Sequence, residues 1–171
     1  MSKMDNIILI GMPSAGKSTV GVLLAKRLGY RFIDTDLVIQ EEEGKLLKEI
    51  IAEVGTEGFL KVEDRVNASV NADHAVIAPG GSVIYCENAM KHFKETGKII
   101  YLKISYDTLK QRVGDLVDRG VILRNGNTMY DMYRERSILC EQYADITIDE
   151  TGKTAGEIVD YLRRHIENVS D

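Results

Sequence analysis

Short, wholly apolar runs alternate with stretches whose apolar residues recur every three or four positions. Ile7-Ile8-Leu9-Ile10, Ala75-Val76-Ile77-Ala78 and Ile99-Ile100-Tyr101-Leu102 have no polar alternation, so they predict strands covered on both faces of a sheet. Tyr30-Arg31-Phe32-Ile33 and Ala144-Asp145-Ile146-Thr147-Ile148 predict two more strands. Between them lie helical patterns: Val20, Leu23, Leu24 and Leu28; three segments over 37–72 separated at Gly44 and Gly55; 86–95; Ser105 or Asp107 through Val113; Met129 to about Gln142; and Gly152 to His165. Leu46, Leu47, Ile50, Ile51 and Val54 form an apolar stripe, and Phe59, Val62, Val66 and Val70 form the next. Leu60 is off that stripe and shares a face with Thr56, Glu63 and Asn67. It reads either as a surface leucine or as a wall of a binding pocket. Regular alternation of strand and helix implies an α/β architecture: about five parallel strands with helices on both faces.

The most informative junction is the first one. Gly11-Met12-Pro13-Ser14-Ala15-Gly16-Lys17-Ser18-Thr19 joins a predicted strand to a predicted helix and has the form GxxxxGK[ST]. In that context the motif has a mechanism: consecutive backbone N–H groups and the helix N-terminus cradle a phosphate chain. Lys17 reaches its outer phosphates and the Ser18 hydroxyl is positioned as a Mg2+ ligand.

Asp34-Thr35-Asp36 follows the second strand, at the sheet edge where open parallel sheets bind ligands. One of these residues suits a helix cap, which does not account for both acids. Two carboxylates beside a phosphate loop suit a division of labour, one serving the metal and the other the attacking hydroxyl. After the third strand, Pro79-Gly80-Gly81-Ser82 is either a ligand-contacting loop or simply a turn. From Gly114 to Thr128 the periodicity dissolves into a segment carrying Arg119 and Arg124, the length and composition of a lid.

Composition narrows the partners. The 171 residues suit one domain, 1–171, with the lid at about 114–128. With 22 Lys and Arg against 27 Asp and Glu, the net charge of -5 argues against nucleic-acid or membrane-surface partners, so local groups must hold an anionic ligand. Cys86 and Cys140 lack metal-ligand spacing and read as free thiols in a reducing cytoplasm. No apolar run is long enough to span a membrane, and the three histidines, His74, His92 and His165, read as structural or surface residues. No guanine-reading NKxD segment is present. Neither the third nor the fourth apolar strand ends in an acid, as motor-type ATPases require, which leaves Asp34 as the nearest metal-assisting carboxylate. The pattern is that of a small-molecule kinase.

Over nearly its whole length the chain resembles the shikimate kinase family. The resemblance is carried by Gly11 to Thr19, Leu24-Ala25-Lys26-Arg27-Leu28-Gly29, Phe32 to Asp36, the helix of Phe59 and Glu63, Gly80-Gly81, Arg119, Arg136 and Ala144 to Thr147. It implies a three-layer P-loop NTPase fold of the nucleoside-monophosphate-kinase type and transfer of phosphate from ATP to a hydroxyl of shikimate. By resemblance Gly11, Ser14, Ala15, Gly16, Lys17, Ser18 and Thr19 hold ATP, with Arg112, Lys153 and Arg119 on the nucleotide, while Ser18 and Asp34 hold Mg2+. Asp36 binds and activates the acceptor hydroxyl, Gly80 and Gly81 contact the acceptor, and Arg136 takes its carboxylate. Lys17, Asp36 and Arg119 are the expected catalytic set, in a cytoplasmic monomer.

The chain departs from the family pattern at four places. Leu60 stands where the family's Phe-Arg-x-x-Glu has its arginine, and Pro79 replaces the first of three glycines. Gly120 replaces the lid proline, and Ser137-Ile138-Leu139-Cys140 replaces x-Pro-Leu-Tyr. A bidentate arginine has no substitute in leucine. The departures therefore leave open the same chemistry on another hydroxy acid, hydroxy amino acid or polyol, or a nucleotide-binding regulator without turnover.

Overall fold

A computed structural model describes residues 5–113, 122–123 and 126–167. The greater part of the expected lid, with Arg119, Gly120 and Arg124, lies outside these residues. The strands are β1 (Asn6–Gly11), β2 (Arg31–Asp34), β3 (Ala75–Ala78), β4 (Gly97–Lys103) and β5 (Ile146–Asp149). The helices are α1 (Lys17–Leu28), α2 (Thr35–Glu43), α3 (Leu47–Ala68), α4 (Glu87–Thr96), α5 (Tyr106–Arg112), α6 (Met129–Tyr143) and α7 (Ala155–Glu167). All strand pairs are parallel and the order is β2-β3-β1-β4-β5. The fully buried strands β1 and β3 lie inside the sheet, while the polar-flanked β2 and β5 form its edges, where one side is partly open to water.

Alternate side chains feed two cores. Ile7, Leu9, Val76, Ile100 and Leu102 pack with Val20 and Leu24 of α1 and Ile158 and Leu162 of α7. On the other face, Ile8, Ile10, Ile77, Ile99 and Tyr101 meet Ile39, Ile50, Phe59, Val66, Met90 and Phe93 from α2, α3 and α4. The sheet is therefore the middle of three layers, as the alternation of elements predicts. A third cluster, Met12, Ala15, Leu109 and Met132, supports the loop after β1 from beneath.

Three local expectations differ from what forms. Helix α2 begins at Thr35, two residues earlier than its apolar pattern suggests, because the Asp34 carboxylate caps it, accepting from the Asp36 N–H at 3.0 Å. The expected break at Gly55 does form: its backbone is non-helical (φ 74°, ψ 177°), so α3 consists of two helical segments joined at a kink. The stripe over 46–54 is buried at Ile50 alone, Leu46 and Val54 being exposed. Conversely the polar face of Glu63 and Asn67 is buried, because α3 turns it toward the interior.

Between β1 and β3 the chain order reverses direction across the sheet. A crevice opens there at the strands' carboxyl ends, where three loops meet: 11–16 after β1, Asp34 at the end of β2, and 79–82 after β3.

Candidate active site

The loop after β1 is a cradle of backbone. Ser14 and Gly16 both have positive φ, 63° and 85°, which aims successive N–H groups inward, and glycine adopts this conformation at Gly16 without strain. Gly16 is also the N-cap of α1, and no side chain caps that helix, so the N–H groups of its first turn stay available to an anion. Lys17 is buried and its Nζ donates to the carbonyls of Gly11 at 3.0 Å and Met12 at 2.8 Å. Burial pulls its pKa down to about 8, with Asp36 pulling the other way. Ser18 Oγ donates to Asp34 Oδ2 at 3.4 Å. Two hard oxygen donors beside a phosphate cradle fit Mg2+, which keeps few protein ligands and takes the remainder from phosphate and water.

A cavity of about 340 Å³ opens on this cradle. Its walls include Ser14, Gly16, Lys17, Ser18 and Thr19 on one side, with Asp34 and Asp36, and Phe59, Glu63, Gly80, Gly81 and Arg136 on the other. Of the residues expected to hold the phosphates, Gly11 and Ala15 lie beneath the wall. Gly11 offers its carbonyl to Lys17, and Ala15 packs into the core under the loop. Asp36 is displaced upward to about 6, first by burial and then by the neighbouring Asp34 charge. Arg136 is 2% exposed; it donates from Nη2 to the Ile122 carbonyl at 2.6 Å and lies 5.5 Å from the Tyr85 ring centroid. Its Nε is buried with no hydrogen-bond partner among the described residues. A buried guanidinium with unused donor capacity on a cavity wall is prepared for an anionic guest.

Gly80 is there for space. A Cβ at this position would stand 2.9 Å from Asp36 Oδ1 and 3.0 Å from Glu63 Oε2, so the two carboxylates would have to shift to admit it. Arg112 and Lys153, far apart in sequence, line a second cavity of about 340 Å³ together with Ser105, Glu150 and Thr154. Arg112 Nη1 donates to the Ser14 carbonyl at 3.2 Å, so this cavity adjoins the phosphate loop.

Leu60, expected as a possible wall of the acceptor pocket, does not line it. It is 9% exposed and packs in the core cluster, whereas Phe59 and Glu63 face the cavity. Ile138 is exposed and Cys140 is buried, and neither lines the cavity; of the acceptor-side departures, Pro79 alone does so among the described residues. Leu60 therefore adds no wall to the cavity, while the arginine of the family pattern remains absent from this position.

Two buried acids are weightier than their sequence context suggests. Glu63 is 1% exposed, accepts from Ser82 Oγ at 2.6 Å and is pushed up to about 7 by burial. Glu150 is buried beside the loop and also raised to about 7 by burial, with Arg112 opposing. Glu63 carried a signal, an acid in register with Leu60 on a helix that packs inward; Glu150 had none. Asp145, within a stretch shared with the family, proves to be a brace: its carboxylate accepts from the Ile99 N–H at 2.8 Å and pins β5 to β4.

Comparison with known proteins agrees with this geometry. The shikimate kinase family model matches residues 13–167. The shikimate kinase of Moorella thermoacetica is 38% identical, covering 96% of this chain and 98% of its own, and that of Persephonella marina is 35% identical, covering 93% and 97%. Among solved structures, a shikimate kinase from Acinetobacter baumannii in complex with shikimate superposes with a TM-score of 0.84 at 27% identity, over 96% of this chain and 94% of that one. The shikimate kinase of Aquifex aeolicus superposes at 0.82 with 28% identity, over 96% and 98%. Phosphate cradle, paired acids, buried arginine and full-length similarity agree, and the chain belongs to the shikimate kinase family, kinases that use ATP with Mg2+.

Proposed function

We propose that this kinase transfers the terminal phosphoryl group of ATP to a hydroxyl of shikimate. The observation that carries the reading is the buried Arg136 with its unpartnered Nε, on the wall of the same cavity that holds Asp36 and the phosphate loop. Such a cavity suits a small molecule with a carboxylate at one end and a hydroxyl at the other. The relatives' names and the shikimate complex of the Acinetobacter enzyme support the same acceptor.

The chain's own residues divide the work. The N–H groups of Ser14 to Thr19 hold the phosphates, and Lys17 exchanges its two carbonyl partners for phosphoryl oxygens, adding charge where it builds up in the transition state. Ser18 and Asp34 would hold Mg2+, which when bound neutralises phosphate charge and helps align the leaving group. Arg136 and the Gly80-Gly81 backbone fix the acceptor so that its hydroxyl meets Asp36. Asp36, raised toward neutrality, accepts the hydroxyl proton as the oxygen attacks phosphorus and ADP leaves. Arg112 and Lys153 flank the nucleotide's base side. Arg119, on the lid at 114–128 of a single domain, supplies a further cation as water is excluded.

Two buried free thiols suit a reducing cytoplasm and the family resemblance suggests a monomer; among the described residues no helix is long and apolar enough to cross a membrane. The test is a coupled ADP-release assay with ATP and Mg2+ against shikimate and a panel of other hydroxy acids, hydroxy amino acids and polyols. Saturable turnover with shikimate above the rest is expected. Turnover with another compound alone, or ATP binding without any turnover, refutes the reading.

A further inference from the structure

The acceptor half of the cavity holds more acid than base. Asp36 and Glu63 converge on Gly80, each with an oxygen about 3 Å from where its Cβ would stand. Glu63 Oε1 is occupied by two neutral donors, Ser82 Oγ at 2.6 Å and Cys86 Sγ at 3.6 Å, and Oε2 is the oxygen turned toward Gly80. Among the described residues no ion pair reaches Glu63. Leu60, one turn earlier on α3, is apolar and directed into the core. The charged or titratable groups that face Glu63 are Asp36 from α2, Arg136 from α6 and the Cys86 thiol at the start of α4. Arg136 is therefore the buried cation available to it, and Arg136 is also the group placed to receive the acceptor's carboxylate.

Binding such an acceptor would gather three carboxylates, those of Asp36, Glu63 and the guest, around the Arg136 guanidinium, with the Lys17 ammonium acting on Asp36 from the phosphate loop. In a site closed to water, like charges are relieved when one acid takes a proton. Asp36 must remain anionic to accept the hydroxyl proton. Glu63 is the more enclosed, and its Oε2 is free to carry one. We propose that Glu63 takes up a proton from solvent as a carboxylate-bearing acceptor enters, leaving Arg136 to the acceptor alone. The inference rests on the acceptor reading above. It is supported by the position of Glu63 near neutrality before any ligand arrives, burial being the main cause. The neutral acid then acts in acceptor recognition as a positioning residue: its proton sets which anion Arg136 serves.

The sign is definite. Affinity for the acceptor is constant below the pKa of free Glu63 and weakens above it by about tenfold per pH unit. The experiment uses the full chain with shikimate. Calorimetry at about pH 8 in two buffers of different ionisation enthalpy should show uptake approaching about one proton per shikimate bound. The KM for shikimate should climb with pH above neutrality while kcat moves less. Glu63→Gln, a neutral isostere of the protonated acid, should abolish the uptake, flatten the KM profile and bind shikimate more tightly than the parent at alkaline pH. A Glu63 that served only to hold α3 in place would weaken the variant equally at all pH.

Shikimate binding without proton uptake, or an unchanged KM slope in Glu63→Gln, overturns the inference while leaving the acceptor reading intact. A chain that neither binds nor turns over shikimate at any pH overturns both. Should the variant fail to fold, the paired-buffer measurement on the parent chain decides alone.

Discussion

The two halves of the cavity are made of different material. The donor half is mostly backbone: one loop of consecutive residues, a helix terminus with no side-chain cap, and a lysine resting on the carbonyls of its own loop. The acceptor half is side chain. Asp36, Glu63 and Arg136 come from three helices, and they meet because those helices pack on one face of the sheet around Gly80. A backbone cradle binds any phosphate chain with little dependence on its surroundings. A constellation of buried charges is set by what each charge has for a neighbour, so the acceptor half is where single substitutions should discriminate most sharply.

Asp36→Asn should break the contrast most severely. Losing a general base costs about 10²- to 10⁴-fold in kcat. Because Asp36 is outside the loop, ATP affinity by calorimetry should stay nearly unchanged; equal losses in both would place Asp36 in nucleotide binding instead. Arg136→Gln comes next. A charged hydrogen-bonding group is worth about 1.5–3 kcal/mol, so KM for shikimate should rise roughly 10- to 150-fold, at about tenfold per 1.36 kcal/mol. KM for ATP should hold.

The third test needs no substrate. Glu63 is raised from 4.5 to about 7, so the unfolded chain releases its proton first as pH rises. Its contribution is complete below pH 4.5 and is lost progressively up to about 7. Asp36, raised from 3.8 to about 6, has the same sign over a lower window. Thermal melts should therefore show Glu63→Gln gaining on the parent between about pH 5 and 8, by a few kcal/mol at most. A constant difference would mean that Glu63 titrates normally.

Gly80→Ala should push Asp36 and Glu63 apart. Overpacking of this kind costs about 1–3 kcal/mol, read chiefly as weaker shikimate binding, and a silent substitution would show that the two acids have room to spare. The smallest effect belongs far from both halves. Arg27 and Asp160 join α1 to α7 at 2.8 Å across an exposed surface, and Asp160→Asn should cost no more than about 1 kcal/mol of stability and nothing in turnover.

The same division explains what could be read in advance. Strands buried on both faces must be apolar throughout, so the three central strands were visible as uninterrupted runs, while the two edge strands and the three-layer arrangement followed from the alternation of strand and helix. The phosphate loop was visible because glycine spacing, lysine and hydroxyl all lie within nine residues. The burial of the polar face of α3 was not visible. Periodicity shows which residues share a face, and Leu60, Glu63 and Asn67 do, yet it does not show which way a polar face will turn. The helix turned that face inward, placing Leu60 in the core and Glu63 on the cavity wall.

What the chain's sequence determined by itself is therefore the chemistry of the donor, since a phosphate cradle is a local conformation written in adjacent residues. The tertiary structure alone decided the electrostatics of the acceptor side: Arg136 with an unused donor, Asp36 and Glu63 raised toward neutrality, Leu60 withdrawn from the cavity. Charge in a buried site depends on distance and exclusion of water, and both are set by packing among helices far apart in sequence.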